Sequence, residues 1–179
     1  SFCSHESDVE ELRKRFSNKI NVISKIESKN GILNLDGICK KSNAILIDRG
    51  DLSREVPLEK IPLAQNHILE KSKKFDIPVY VATNLMENMI LNSKPTRAEV
   101  NDIQSTLHNG AKGLVLAAET AIGKYPIDCV RIMSRIIHET INYKYDKRNI
   151  GNLFSPSFGR IIEPHGGKLV QQFSNDKSD

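Results

Sequence analysis

The sequence predicts an α/β fold made of repeated strand–helix units, and three observations carry that prediction. Four short apolar runs, "NVIS" (21–24), "AILI" (44–47), "PVYVA" (78–82) and "GLVLA" (113–117), are near-continuous and lack clear alternation, as in parallel strands covered on both faces. Charged segments with helical spacing separate them. The runs begin at 21, 44, 78 and 113, which leaves room for a helix in each crossover, and such crossovers are right-handed. Repeats of this kind build either a (β/α)8 barrel or a doubly wound sheet. In both, ligand groups collect at the carboxyl ends of the strands.

The elements follow in order. A first helix is expected over 7–16, with Ser7 as N-cap and Glu10 at capping-box spacing. The 21–24 strand leads to Lys25 and Glu27, which stand two residues apart and therefore face the same way from an extended chain. The 44–47 strand leads into Asp48-Arg49-Gly50-Asp51. A helix over 59–75 places 61, 64, 68 and 69 on one face, and the 78–82 strand ends on Thr83. A helix over 97–110 stops at Asn109-Gly110, a good C-terminal signal. The 113–117 strand leads to Glu119-Thr120. A last helix over 126–142 opens on Pro126, with 129, 130, 133, 136 and 137 on a common stripe. The expected organisation is then a partial barrel over 1–142, a polar linker over 143–160, and a short C-terminal segment over 161–179 that could open a second domain. Its final "QQFSNDKSD" has the composition of a frayed tail.

Composition narrows the function classes. The 179 residues are 39% hydrophobic and 27% charged, enough for one ordinary globular domain with a core. The net charge of +4 is spread among acids, and only 6% of residues are aromatic, with no Trp. That argues against a nucleic-acid partner. The three cysteines, Cys3, Cys39 and Cys129, are dispersed, as reduced thiols in a cytoplasmic protein are. No apolar run has membrane-spanning length and no signal-peptide pattern is present, so no membrane partner is expected.

The strand ends carry residues with chemistry. Glu27 and Asp51 offer hard oxygen ligands that suit Mg²⁺ or Mn²⁺. Lys25 could neutralise charge on a phosphoryl group or an enolate. Gly50 lets backbone N–H groups approach an anionic substrate closely, and Thr83 offers a hydroxyl to orient water or a proton. Each has an ordinary structural reading alone; an Asp in a turn is usually turn chemistry. Their conjunction at consecutive strand ends points to an active-site rim.

Five segments then bring a family into view. "SKIESKNG", "AILIDRGDLSREVPLEKIPLAQ", "PVYVATNLMENMI", "SKPTRAEVNDI" and "AAETAIGKYPIDCVRIM" together resemble pyruvate kinase, in order and spacing, and "SFCSHESDVEELRK" resembles its fourth barrel unit. The resemblance covers roughly residues 1–140. It implies the C-terminal half of a (β/α)8 (TIM-type) barrel, about four to five β-α units. The implied reaction is transfer of phosphate from phosphoenolpyruvate to ADP, giving pyruvate and ATP in glycolysis, with a divalent cation and K⁺ as cofactors. Lys25 would stabilise the transferring phosphoryl and the enolate. Glu27 and Asp51 would hold the divalent metal. The backbone at Gly50 and Asp51 would receive the substrate carboxylate, and Thr83 would assist protonation of the enolate. The K⁺ site belongs to barrel units that have no match in this chain.

The sequence also departs from that pattern. Asp48 stands where the family has a small residue, Ser53 where it has glycine, and Ile122 where many members carry a lysine near the nucleotide, which weakens the case for ADP or ATP binding. Four to five units cannot close an eight-stranded barrel, so the chain is expected to oligomerise or to belong to a longer protein. More weakly, "FGRIIEPHGGKLVQQ" resembles the opening of bacterial ATP sulfurylases, with His165 structural there. Two alternatives to a phosphotransferase region follow: a non-catalytic assembly or regulatory module fused to a sulfurylase, or another metal-dependent enolate enzyme that needs no ADP.

Overall fold

The computed structural model describes residues 1–16, 20–145, 160–162 and 169–172. Its contacts divide the chain into two compact units, one of Ser1–Leu85 with Thr106–Ala117, the other of Met86–Ser105 with Ala118–Asp179.

The first unit is built on a parallel sheet of β1 (Ile23–Ile26), β2 (Ala44–Asp48), β3 (Val79–Ala82) and β4 (Gly113–Val115). The strands lie in the order β1-β2-β3-β4. A doubly wound sheet reverses its strand order at a switch point. This one does not, and its arrangement is the arc of a partial (β/α)8 barrel. α1 (Glu6–Phe16) precedes β1, and between the strands run α2 (Lys29–Leu33), α3 (Leu35–Lys41), the single turn α4 (Arg49–Leu52), a 3₁₀ turn at Leu58–Lys60 and α5 (Ile61–Lys74). Ile26, Ile45, Ile47, Val79 and Val81 of the strands are buried against Leu35, Ile38 and Cys39 of α3 and Ile68 and Leu69 of α5. Each enclosed aliphatic side chain of this kind contributes about 1.5–3 kcal/mol. β2 and β3 therefore bury on both faces, which is why their sequences show runs instead of alternation, while β1 alternates, with Ile23 exposed and Ser24 and Ile26 buried.

Several boundaries differ from expectation, among them the end of β4 at Val115 instead of 117 and that of the last helix at Tyr145 instead of 142, and two differences have a clear physical cause. β1 runs two residues further than 21–24, because its register is fixed by β2, with Ile23 opposite Ala44 and Ile26 opposite Ile47. Lys25 is thus a residue of the strand itself, opposite Leu46, and Glu27 is the first residue beyond it. In α1 the expected cap, Ser7, lies inside the helix. The Asp8 carboxylate reaches back instead to the N–H groups of Ser4 and His5, at 2.8 and 2.9 Å. These two bonds hold its carboxyl below the usual carboxylate range.

The second unit holds a 3₁₀ turn at Glu87–Ile90, α6 (Arg97–His108, whose last turn passes into the first unit), α7 (Ala118–Ala121) and α8 (Pro126–Tyr145). Thr96 Oγ1 accepts from the Glu99 N–H at 3.2 Å while Glu99 Oε2 accepts from the Thr96 N–H at 2.6 Å, a reciprocal capping box. α6 ends before Gly110, whose φ of +111° suits glycine. On α8 the buried positions are Cys129 and Met133, with Ile132, Ile136 and Ile137 half-buried. Val130 is exposed, because it lies one residue, about 100° round the helix, from the buried line through Cys129.

Most of the expected linker over 143–160 and the segment around His165 lie outside the described residues. In the tail, β5 (Arg160–Ile162) pairs antiparallel with β6 (Leu169–Gln172), a hairpin the sequence reading did not expect. Among the described residues no helix is long and apolar enough to cross a membrane.

Candidate metal and anion site at the strand ends

The ends of β1, β2 and β3 bring Lys25, Glu27, Asp48, Gly50, Asp51 and Thr83 together within the first unit. Glu27 is almost fully enclosed, at 1% exposure. Its Oε2 accepts from the backbone N–H of Phe2. Its Oε1 lies 2.7 Å from Lys25 Nζ, close enough to pair but off hydrogen-bond alignment, and no donor bonds to that oxygen. Lys25 Nζ is also 3.0 Å from Asp48 Oδ2. The Glu27 carboxylate beside it raises the Lys25 ammonium above its ordinary value; burial opposes this and Asp48 adds to it. For Asp48, burial alone would raise the carboxyl, but Lys25, the Asp51 N–H and the Thr83 hydroxyl together outweigh it and leave it lowered.

The β2 end turns at once into α4. Asp48 is the N-cap, its Oδ1 accepting from the Asp51 N–H at a long 3.4 Å. The Gly50 N–H donates to Thr83 Oγ1 at 2.9 Å. Both backbone donors expected to face a substrate anion are therefore turned onto internal acceptors here. The Asp51 side chain is partly exposed and meets Arg54 Nη2 at 3.2 Å.

Thr83 is held in an uncommon conformation. Its φ is +67° and that of Asn84 is +53°, and a β-branched residue in the left-handed region costs on the order of 1–3 kcal/mol. Arg49 supplies the compensation. Its Nε and Nη2 donate to the Thr83 carbonyl at 3.1 and 2.9 Å, and Nη2 also reaches the Asn84 carbonyl at 2.7 Å. The strained turn aims Thr83 Oγ1 at Asp48 Oδ1 (3.1 Å) and the Ala82 carbonyl (2.6 Å), and its one hydroxyl proton can serve only one acceptor at a time.

Carboxylate oxygens of Glu27, Asp48 and Asp51 lie within 4.8 Å of one another. Of these, Glu27 Oε1, buried and without a hydrogen bond, and the partly exposed Asp51 fit a divalent hard cation, while Asp48 is engaged by Lys25 and Thr83. Sequence reasoning named Glu27 and Asp51. It registered Asp48 only as a departure from the family pattern, and it gave Arg49 no task, since a guanidinium that works on carbonyls leaves no side-chain pairing to read. Glu119, which the sequence placed on the same rim, belongs to the second unit, where its Oε1 accepts from the buried Met86 N–H at 3.0 Å. That is a structural bond.

Comparison with known proteins adds to this geometry. The sequence profile of the pyruvate kinase barrel domain matches residues 1–130. A pyruvate kinase of Thermotoga maritima is 39% identical over 181 residues, covering 95% of this chain and 39% of that protein. A pyruvate kinase of Borreliella burgdorferi is 41% identical over 140 residues, covering 76% of this chain and 29% of its own length. A crystal structure of a pyruvate kinase from Cryptosporidium parvum superposes with a TM-score of 0.75 at 38% identity, over 79% of this chain and 31% of that one. The chain thus spans between about a third and two fifths of the first of these relatives and less of the others. The Thermotoga match reaches into the tail, which continues a pyruvate-kinase-like sequence there; the sulfurylase resemblance finds no support in these matches.

Proposed function

The chain belongs to the pyruvate kinase family, and from that premise we propose that it carries the phosphoenolpyruvate-facing part of a pyruvate kinase site. The observation that carries this reading is the enclosed Glu27 carboxylate beside Lys25, with the Asp51 carboxylate in reach.

In the proposed reaction the phosphoryl group leaves the enol oxygen of phosphoenolpyruvate for the β-phosphate of ADP, and the enolate left behind takes a proton at carbon to become pyruvate. Lys25 offers its ammonium to the negative charge that moves between phosphoryl and enolate oxygens. Glu27 and Asp51 would hold Mg²⁺ or Mn²⁺; the chemistry that ion supplies when bound is charge neutralisation and polarisation of the substrate oxygens. The N–H groups of Gly50 and Asp51 would take the substrate carboxylate once released from their internal acceptors. Thr83 would place its hydroxyl, directly or through a water, for protonation of the enolate. Arg49 positions Thr83 and touches no reactant. A K⁺ ion, most contacts to ADP, an oligomeric partner or further chain that closes the barrel, and a cytoplasmic place in glycolysis belong to the same proposal.

The test is a titration of Mn²⁺ in the presence of oxalate, a mimic of enolpyruvate, followed by water-proton relaxation. Oxalate-dependent Mn²⁺ binding is expected in the folded chain and lost in Glu27→Gln and Asp51→Asn. Binding that persists in both variants would sink the assignment. Ile122, exposed and uncharged, favours a second reading, enolate chemistry without a nucleotide. Turnover of a pyruvate-yielding acid in the absence of ADP would select it.

A further inference from the structure

Three of the donors proposed for the substrate, the Lys25 ammonium, the Thr83 hydroxyl and the Asp51 N–H, already face a carboxylate, that of Asp48. Its Oδ2 lies 3.0 Å from Lys25 Nζ. Its Oδ1 lies 3.1 Å from Thr83 Oγ1, whose proton it shares with the Ala82 carbonyl, and accepts weakly from the Asp51 N–H at 3.4 Å. Gly50 is drawn into the same arrangement, since its N–H donates to that Thr83 oxygen. The side chain is only 11% exposed, so water does not readily replace these contacts. A carboxylate or phosphoryl oxygen that approached Lys25 and Thr83 would meet Asp48 on the same atoms and a like charge at short range.

We infer that Asp48 is an internal competitor for the substrate's anionic groups, a residue that sets how strongly the site takes an anionic acid. This rests on the reading of the site as one for a carboxylate-bearing substrate. For binding, the Asp48 side chain must leave Lys25 and Thr83, and its charge is then free to turn toward the cation held by Glu27 and Asp51. Two consequences follow from that exchange. The apparent affinity for a small acid is reduced by the fraction of chains in which Asp48 is seated; seating in about nine chains of ten weakens it about tenfold. The acid also binds best with the divalent ion present, because the displaced carboxylate then has an opposite charge to face.

The test measures oxalate binding at saturating Mn²⁺ for the wild-type chain, Asp48→Asn and Asp48→Ala, with far-UV circular dichroism to confirm folding. Asp48→Asn keeps an oxygen for Thr83 and the Asp51 N–H, so it guards against loss of fold in the alanine variant. Oxalate is expected to bind about tenfold more tightly to Asp48→Ala than to wild type, with Asp48→Asn between them. Mn²⁺ alone is expected to bind the three within about threefold of one another. Equal or weaker oxalate binding in both folded variants overturns the inference and leaves the metal-and-acid reading standing. A loss of Mn²⁺ binding in both, without oxalate, makes Asp48 a metal ligand and overturns it equally. Absence of oxalate binding in all three proteins takes down the inference and the reading together.

Discussion

Lys25 holds two carboxylates from one strand position, Glu27 at 2.7 Å and Asp48 at 3.0 Å. Removing its ammonium leaves the enclosed Glu27 with a backbone N–H on one oxygen and nothing cationic on the other. Loss of one partner of a buried pair costs about 3–5 kcal/mol, and Lys25 is partly exposed, so Lys25→Met should destabilise the chain by about 2–4 kcal/mol in urea unfolding. Arg54→Ala breaks a pair on a side chain that is 75% exposed and should change stability by less than about 0.5 kcal/mol. Equal effects from the two substitutions would contradict this account. The acid limb has a definite sign. Asp48 is lowered in the folded chain, so its contribution is present above the ordinary carboxylate value and fades as pH falls through the folded one. Below about pH 4 the wild type should lose stability more steeply than Asp48→Asn. At this scale the pairing of Lys25 with Glu27 was legible, because two-residue spacing in an extended chain puts side chains on one side. The left-handed backbone of Thr83 was not, since threonine is among the residues that disfavour it, and the bonds from Arg49 to the turn's carbonyls join residues far apart in sequence.

Each helix has local signals and a tertiary setting, and the two agree in some elements and not in others. α6 is the agreeing case. Thr96 and Glu99 exchange capping bonds at its start, and Gly110 follows its end at φ +111° with open space where a Cβ would stand. Thr96→Ala should cost about 1 kcal/mol through the lost cap. Gly110→Ala should cost about 1–2 kcal/mol through backbone strain alone, since nothing within 4 Å would clash. Thermal unfolding of the two variants checks this, and a stabilised Gly110→Ala would mean that the turn relaxes to negative φ. α1 is the disagreeing case. Ser7 and Glu10 match a capping box in sequence, yet the helix begins earlier and Asp8 does the capping, because a carboxylate inside the first turn takes the N–H groups of Ser4 and His5 just ahead of the helix and sets a full charge near its positive end. The one-turn α4 was invisible as a helix in sequence. Four residues carry no period, and Asp48 and the strand before them fix where the turn begins.

The strand order is the property of the whole molecule that the sequence carried best. Apolar runs at wide intervals require parallel neighbours, and unbroken sequential order in the sheet distinguishes a barrel arc from a doubly wound sheet. The sequence could not show how the outer strands are covered, because that depends on what lies beyond them. β1 has some cover on its free side, where the Cys3 N–H donates to the Lys25 carbonyl at 3.2 Å. β4 pairs with β3 on one side, and among the described residues no strand pairs with its other side. Val115 is 37% exposed there, and it stands opposite Ala82, at the end of β3 from which Thr83 continues. An unpaired edge of an apolar parallel sheet is a template for another strand, and relatives that match this chain are two and a half times its length or more. The chain by itself should therefore associate as its concentration rises, through the β4 edge. Sedimentation velocity over a concentration series would show the weight-average mass climbing. Val115→Lys should flatten that rise, because a lysine on an edge strand opposes strand addition, while unfolding stability changes by no more than about 0.5 kcal/mol, as for other exposed sites. A wild-type chain that stays monomeric throughout would mean that the β4 edge is covered from within. Association that Val115→Lys leaves unchanged would move the contact to another surface of the chain.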